Sequence, residues 1–175
     1  MGLVNHLIVF AKIPRMGIVK TRLAKNIGTV NAWAFTRQCI KDISFLARDS
    51  RWQCRLAVSG VNSVLLPNFW PQTHKIIAQG EGDLGDRMTR VIKNMPPGPV
   101  VIIGTDIPTI RTKHVALAFK TLGSNDAVFG PAKDGGYWLI GIKRRPVFKE
   151  IFQSVNWSTK TALKDTISNL SLIHI

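Results

Sequence analysis

The sequence predicts an α/β domain of three layers, with a mainly parallel central sheet and helices flanking both faces. Three observations predict it. Val100 to Ile103 is an unbroken β-branched apolar run, which marks a strand buried on both faces. Strand-like and helix-like stretches alternate repeatedly along the chain. A length of 175 residues with 45% hydrophobic content suits one domain with a real core, so residues 1–175 read as a single domain.

The elements follow in order. Leu7 to Ala11 is a short apolar strand. Lys12 to Lys25 reads as a loop with Pro14, Gly17 and alternating cations. Cations and free N–H groups in such a loop suit phosphate oxygens. Neither GxxxxGK[ST] nor GxGxxG occurs there, and a plain exposed basic loop explains the same residues. Asn31 to Arg48 is an amphipathic helix with Ala32, Phe35, Cys39, Ile43 and Leu46 inward and Trp33 packed. Cys54 to Ser59 and Lys75 to Ala78 are strands, separated by an irregular connection over Asn62 to Gln72.

Gly80 to Met88 (GEGDLGDRM) turns from loop into helix. Asp83 is a candidate N-cap and Asp86 sits in the first turn, where a carboxylate suits the helix dipole. Leu84, Met88, Val91 and Ile92 form the buried stripe. The glycines also allow close approach of backbone to a ligand. The central strand stops at Gly104, and Asp106 follows before Pro108, which ends the ladder. A carboxylate thus stands at the carboxyl end of a central strand, where open α/β sheets bind ligands, although Asp also favours turns in its own right. Thr112 is expected to cap a helix that ends at Gly123. Ala127 to Gly130 and Tyr137 to Ile142 read as two strands joined through a glycine-rich turn with hairpin character, carrying Asp134. Pro146 to Phe152 reads as a short helix. Ser158 or Thr159 should cap a last helix bearing Leu163, Ile167 and Leu170, before a strand-like end at Ile175.

Charge narrows the function. The 24 Lys and Arg against 10 Asp and Glu give a net charge of +14, which attracts polyanions. The first 41 residues hold no acid, whereas six of the ten acids lie between Glu81 and Asp134. A site that joins a metal cation to a phosphate ligand needs both poles; an evenly basic nucleic-acid surface does not. Cys39 and Cys54 form no CxxC, and no His has zinc-ligand spacing to another His or a Cys. No apolar run reaches the length of a membrane span, and no signal-peptide pattern opens the chain, so a cytoplasmic protein is expected.

FAKIPRMGIVKTRL, GDLGDRM, IIGTDIP, GPAKDGGYWLIG and NWST occur in this order. On these five motifs, over nearly the whole chain, the sequence resembles a bacterial family of nucleotide-diphospho-sugar transferases with a Rossmann-like, glycosyltransferase-A-type fold. It is similar more distantly to the 2-phospho-lactate and molybdenum-cofactor guanylyltransferases, through the Lys and Arg of the first loop and the Asp-x-Pro of Asp106 to Pro108. The resemblance implies that Asp106 holds a divalent metal, Mg²⁺ or Mn²⁺, which bridges the phosphates of the nucleotide. Asp134 would lie near the second substrate as a further metal ligand or a base. The phosphate side would comprise Lys12, Gly17, Lys20 and Arg22 with Gly82, Asp83, Gly104 and Thr105, and the acceptor side Gly135, Gly136 and Tyr137. Family members usually continue through an acidic Asp-x-Asp-like segment near the C-terminus, whereas this sequence stops at Ile175; it is either naturally short or truncated there, and the missing segment could leave one metal position or an edge strand incomplete.

Three functions follow as expectations: a nucleotidyltransferase acting on a nucleoside triphosphate, a glycosyltransferase acting on a nucleotide sugar, or a basic nucleic-acid-binding domain without catalysis. The first two need a small acceptor. The third rests on charge alone, with no RNA-binding aromatic motif behind it.

Overall fold

Burial on both faces of the central strands decides the layering. The computed structural model describes residues 3–13, 21–60, 70, 75–144 and 150–171. Its six strands are β1 (His6–Lys12), β2 (Gln53–Ser59), β3 (Lys75–Ala78), β4 (Val100–Gly104), β5 (Ala127–Pro131) and β6 (Tyr137–Ile142). Its α-helices are α1 (Thr21–Ile27), α2 (Thr29–Asp42), α3 (Leu84–Lys93), α4 (Thr112–Thr121) and α5 (Ala162–Ser171). The strands form one sheet in the order β3-β2-β1-β4-β6-β5. The pairs β3–β2, β2–β1 and β1–β4 are parallel, and β6 runs antiparallel to both β4 and β5. The mainly parallel three-layer sheet is therefore present, with a single reversed strand inserted near one edge.

Odd and even residues of the central strands feed two cores. Leu7, Val9, Leu56, Val58, Val101 and Ile103 face one layer, where Ile40, Ile43, Leu46, Val115 and Ala118 pack. Ile8, Ala57, Val100, Ile102 and Ile140 face the other, against Met88, Val91 and Ile92 of α3 with Ile151 and Phe152. A strand buried on both faces needs apolar residues at every position, which is why VVII carries no alternation. Among the described residues no helix is long and apolar enough to cross a membrane. Both cysteines are free thiols, and burial pushes the Cys54 thiol up to about 12.

Several local expectations are corrected. The loop expected over Lys12 to Lys25 turns helical from Thr21, because TRLAKNI contains no breaker until Gly28. The helix expected over Asn31 to Arg48 runs as α2 to Asp42 and then tightens into a 3₁₀ stretch, Ile43–Arg48. Phe35 on α2 is exposed, and Trp33 lies beneath Arg37, whose Cζ is 4.9 Å from the ring centroid. Arg111, not Thr112, stands at the N-cap of α4, where its backbone N–H donates to His114 Nδ1 at 3.2 Å. The last helix begins at Ala162 rather than directly after Ser158 or Thr159, and Ile167 points to solvent. Leu170 is on the last helix as expected, Ser171 ends that helix rather than a strand, and the rest of the strand-like end expected up to Ile175 lies outside the described residues. Of the short helix expected over Pro146 to Phe152, residues 146–149 lie outside the described residues, and Ile151 and Phe152 lie in a turn. The connection over Asn62 to Gln72 lies outside the described residues except for Trp70, which is buried.

Candidate active site

Strand direction brings the two candidate acids to the same edge of the sheet. β4 ends at Gly104, and Asp106 follows two residues later. Because β6 is antiparallel to β4, Tyr137 at its start lies at the carboxyl end of β4, so the turn between β5 and β6 emerges there too. Asp134 sits in that turn. Its Oδ1 accepts from Gly136 N at 3.1 Å, while Ala132 N donates to Gly136 O at 2.9 Å and Gly135 N to Ala132 O at 3.2 Å. A side-chain oxygen bonding two residues ahead is the local bond that favours Asp in turns.

Asp106 and Asp134 line one cavity of about 750 Å³. Gly104 and Ile107 border it beside Asp106, and Gly136, Tyr137 and Trp138 border it beside Asp134. Leu84 closes it from α3, and residues 157–160 with Ala162 supply the remaining wall. A Cβ at Gly104 would stand 3.2 Å from Asp106 Oδ1, a tight contact, so a bare backbone at this position leaves the carboxylate its place.

Tyr137 is an aromatic wall more than a polar contact. Its hydroxyl lies 3.5 Å from Thr166 Oγ1 on α5, and its ring meets Trp157 edge-on with centroids 6.4 Å apart. Burial is the main reason its phenol is pushed up to about 12.

The other expected residues distribute unevenly. Lys12 ends β1 and is exposed, outside the cavity lining. Gly17 and Lys20 lie outside the described residues, as does the side chain of Arg22, whose backbone is in α1. Gly82 and Asp83 precede Leu84 but serve the helix start. Asp83 Oδ1 accepts from Asp86 N at 2.9 Å, and Asp86 Oδ2 accepts from Asp83 N at 3.1 Å, a reciprocal cap. Thr105 borders a separate apolar cavity of about 80 Å³ with Phe35, Cys39, Phe45 and Pro108. Gly135 and Gly136 stand in the turn itself, and Gly136 with Tyr137 lines the larger cavity.

Sequence reasoning missed the wall formed by Trp157, Ser158, Thr159 and Lys160. The motif NWST was the available signal, but hydroxyl residues ahead of a helix read first as caps. Asp165 organises this segment: its Oδ2 accepts from Asn156 N, Asn156 Nδ2 and Thr161 Oγ1 at 3.1, 3.2 and 3.1 Å. Gly85 in α3 makes room for the wall, because a Cβ there would stand 2.9 Å from both the Trp157 ring and the Phe152 carbonyl. The aromatic wall, rather than a ligand, approaches that backbone.

Among the described residues no group of three or more His, Cys, Asp or Glu gathers as a metal site. Two hard carboxylates on one cavity nevertheless fit Mg²⁺, which takes one or two carboxylates and fills its remaining positions with water and phosphate oxygens. They do not fit a structural zinc centre, which closes its four positions with protein ligands, mostly Cys and His.

The mostly parallel six-stranded sheet with one reversed strand, flanked by helices, is the Rossmann-like fold of the nucleotide-diphospho-sugar transferases. A family model described as "Uncharacterized protein conserved in bacteria (DUF2064)" matches residues 43–159, more than half of the chain, and the chain belongs to that family. The crystal structure of a "putative nucleotide-diphospho-sugar transferase" from Desulfovibrio desulfuricans G20 is similar at 27% identity and TM-score 0.86, covering 96% of this chain and 75% of that one. A CMP:2-keto-3-deoxy-manno-octonic acid synthetase solved with CTP matches at 11% identity and TM-score 0.55, covering 97% of this chain and 86% of its own. A protein of Aquifex aeolicus VF5 matches at 11% and 0.53, with 97% and 77% covered. The last two likenesses are of fold alone. No curated protein sequence matches the chain.

Proposed function

We propose that this protein is a metal-dependent transferase that binds a nucleoside triphosphate or nucleotide sugar and passes its nucleotidyl or glycosyl group to a small acceptor. The observation that carries the reading is that Asp106, from the end of β4, and Asp134, from the β5–β6 turn, line one cavity. The neighbour at 27% identity, named a nucleotide-diphospho-sugar transferase, supports the transferase class.

In this reading Asp106 is the principal ligand of Mg²⁺ or Mn²⁺, and Asp134 assists as second ligand or as base. The bound cation would supply charge neutralisation to the phosphates, the main catalytic requirement of such transfers. Lys20 and Arg22 of the basic first stretch would hold the outer phosphates, with Arg suited to bidentate contacts. In nucleotidyl transfer an acceptor phosphate oxygen attacks the α-phosphorus, a new P–O bond forms, and the bond to the leaving pyrophosphate breaks. In glycosyl transfer an acceptor hydroxyl attacks the anomeric carbon, and the bond from that carbon to the diphosphate breaks. The hydroxyl proton then passes to Asp134. The basic first loop weakly favours nucleotidyl transfer. The name of the structural neighbour favours the sugar. A basic nucleic-acid-binding domain would not require the two acids in one cavity.

The test is a panel of nucleoside triphosphates and nucleotide sugars, each with Mg²⁺, Mn²⁺ or EDTA, scored by thermal shift. A ligand at one hundred times its Kd stabilises by about 2.7 kcal/mol. At least one nucleotide should raise Tm only when metal is present. A flat panel would sink the proposal.

A further inference from the structure

Resting on the transferase reading, we infer that the acceptor carries an oxyanion, a phosphate monoester or a carboxylate, and that Lys160 is the residue that selects it. Lys160 is the one cation among the described residues lining the large cavity. It makes no ion pair among them, so the two acids of the same cavity do not consume its charge.

The backbone of Lys160 is held against the turn that carries Asp134. The Lys160 carbonyl packs against Gly135, so closely that a Cβ on Gly135 would collide with it. Leu163 N donates to Gly135 O at 3.0 Å, a second tie between the same two segments. The lysine is therefore mounted beside the Asp134 turn, on the half of the cavity assigned to the acceptor. The segment is fixed as well as placed. Asp165 gathers three donors from Asn156 and Thr161, and Thr159 Oγ1 donates to Asn156 O at 2.6 Å.

A rigid mount lowers the entropy lost when a long side chain engages a ligand. Ser158 lies in the left-handed region at φ 62, uncommon for a residue with a side chain. Ser158 lines the cavity two residues before Lys160, and its hydroxyl makes no hydrogen bond among the described residues. Trp157 and Tyr137 add an apolar face for the uncharged part of the molecule. An uncharged acceptor would gain at most a hydrogen bond from this lysine, whereas an anion also needs its charge to approach a cavity that already holds two carboxylates.

The experiment titrates glycerol 3-phosphate, glycerate and glycerol into wild type, Lys160→Ala, Lys160→Arg and Lys120→Ala. Tryptophan emission is the readout, because Trp138 and Trp157 border the cavity. Metal-dependent nucleotide binding is measured separately by thermal shift. Glycerol 3-phosphate or glycerate should bind wild type and glycerol should not, and the tighter of the two identifies the oxyanion. Lys160→Ala should weaken that binding by about tenfold or more, Lys160→Arg should retain most of it, and Lys120→Ala, on α4, should leave it unchanged. Nucleotide affinity in Lys160→Ala should stay within about twofold. Three outcomes overturn the inference: no binding of either anion to wild type, equal losses in Lys160→Ala and Lys120→Ala, or a loss of nucleotide affinity matching the loss of anion affinity. If no nucleotide binds wild type with any metal, the transferase reading fails, while the anion titration still decides the role of Lys160.

Discussion

Gly135 in the β5–β6 turn lies directly against the main-chain carbonyl of Lys160, and its own carbonyl accepts from Leu163 N at 3.0 Å. This contact joins the turn that carries Asp134 to the segment that enters α5. Its φ of +86 is a conformation that side chains rarely adopt.

Gly135→Ala should therefore incur both backbone strain and a collision with main chain, at a cost of about 2–4 kcal/mol in stability. Gly28 provides the comparison. It has a similar φ of +82 but nothing within 4 Å of an added Cβ. Gly28→Ala, at φ 82 and ψ 156, should cost about 1–3 kcal/mol from backbone strain alone, with no collision to add to it. Urea denaturation of both variants checks the difference, and equal costs would contradict the packing account.

Asp106→Asn should abolish the metal dependence of nucleotide binding and leave the fold intact, because the side chain is exposed at a strand end and fills no core. Asp134→Asn should reduce turnover more than nucleotide affinity. The check is a metal titration of nucleotide affinity for wild type and both variants. Unchanged dependence in Asp106→Asn would return this residue to the role of a turn former.

Asp165 contributes stability that depends on pH. The backbone N–H of Asn156 leads the causes that hold its carboxyl below the ordinary value of 3.8, with the Asn156 and Thr161 side chains adding to it. A depressed carboxyl stabilises the fold fully above the unfolded value and loses that contribution as pH falls through the folded one. Asp165→Ala should therefore lower Tm at pH 7, and the difference from wild type should shrink below about pH 3.8. Melting curves from pH 7 to pH 2.5 test this, and a gap independent of pH would refute it.

His6 should act in the opposite region of the scale. It is fully buried at the start of β1, with Nδ1 3.2 Å from Arg55 Nη1. Burial first, then the Arg55 charge, lowers its pKa below 6.5. The unfolded chain thus takes up a proton before the folded one does, so stability is lost as pH falls below 6.5. His6→Gln can keep an acceptor near Arg55 and removes the titration. It should flatten the decline in Tm between pH 7.5 and pH 5.5 that wild type shows.

The sheet was legible because its strands and turns carry local signals. VVII, the short run at Lys75 to Ala78 and the Asp-Gly-Gly turn each depend on local residues, and the strands formed where those residues stand. Less legible was anything decided by a distant partner. Phe35 and Ile167 fit apolar stripes yet face solvent, since periodicity shows that a face exists and not whether a neighbour covers it. The acids at the site could be read from strand ends and turn chemistry. Lys160 could not, because its place depends on Gly135, 25 residues earlier, and on Asp165 tying down its loop.

The reversed strand also divides the site between two parts of the sheet. β1 to β4 form a parallel block that holds Asp106, and Asp134 arrives only when the β5–β6 hairpin docks its second strand on β4. Local opening of that hairpin would part the acids while the parallel block stays folded, as sub-global openings commonly do. A ligand gripped by both acids then acts as a latch, and its occupancy should be readable as slowed amide hydrogen exchange at Leu139 and Ile140 with little change at Leu7 and Val9.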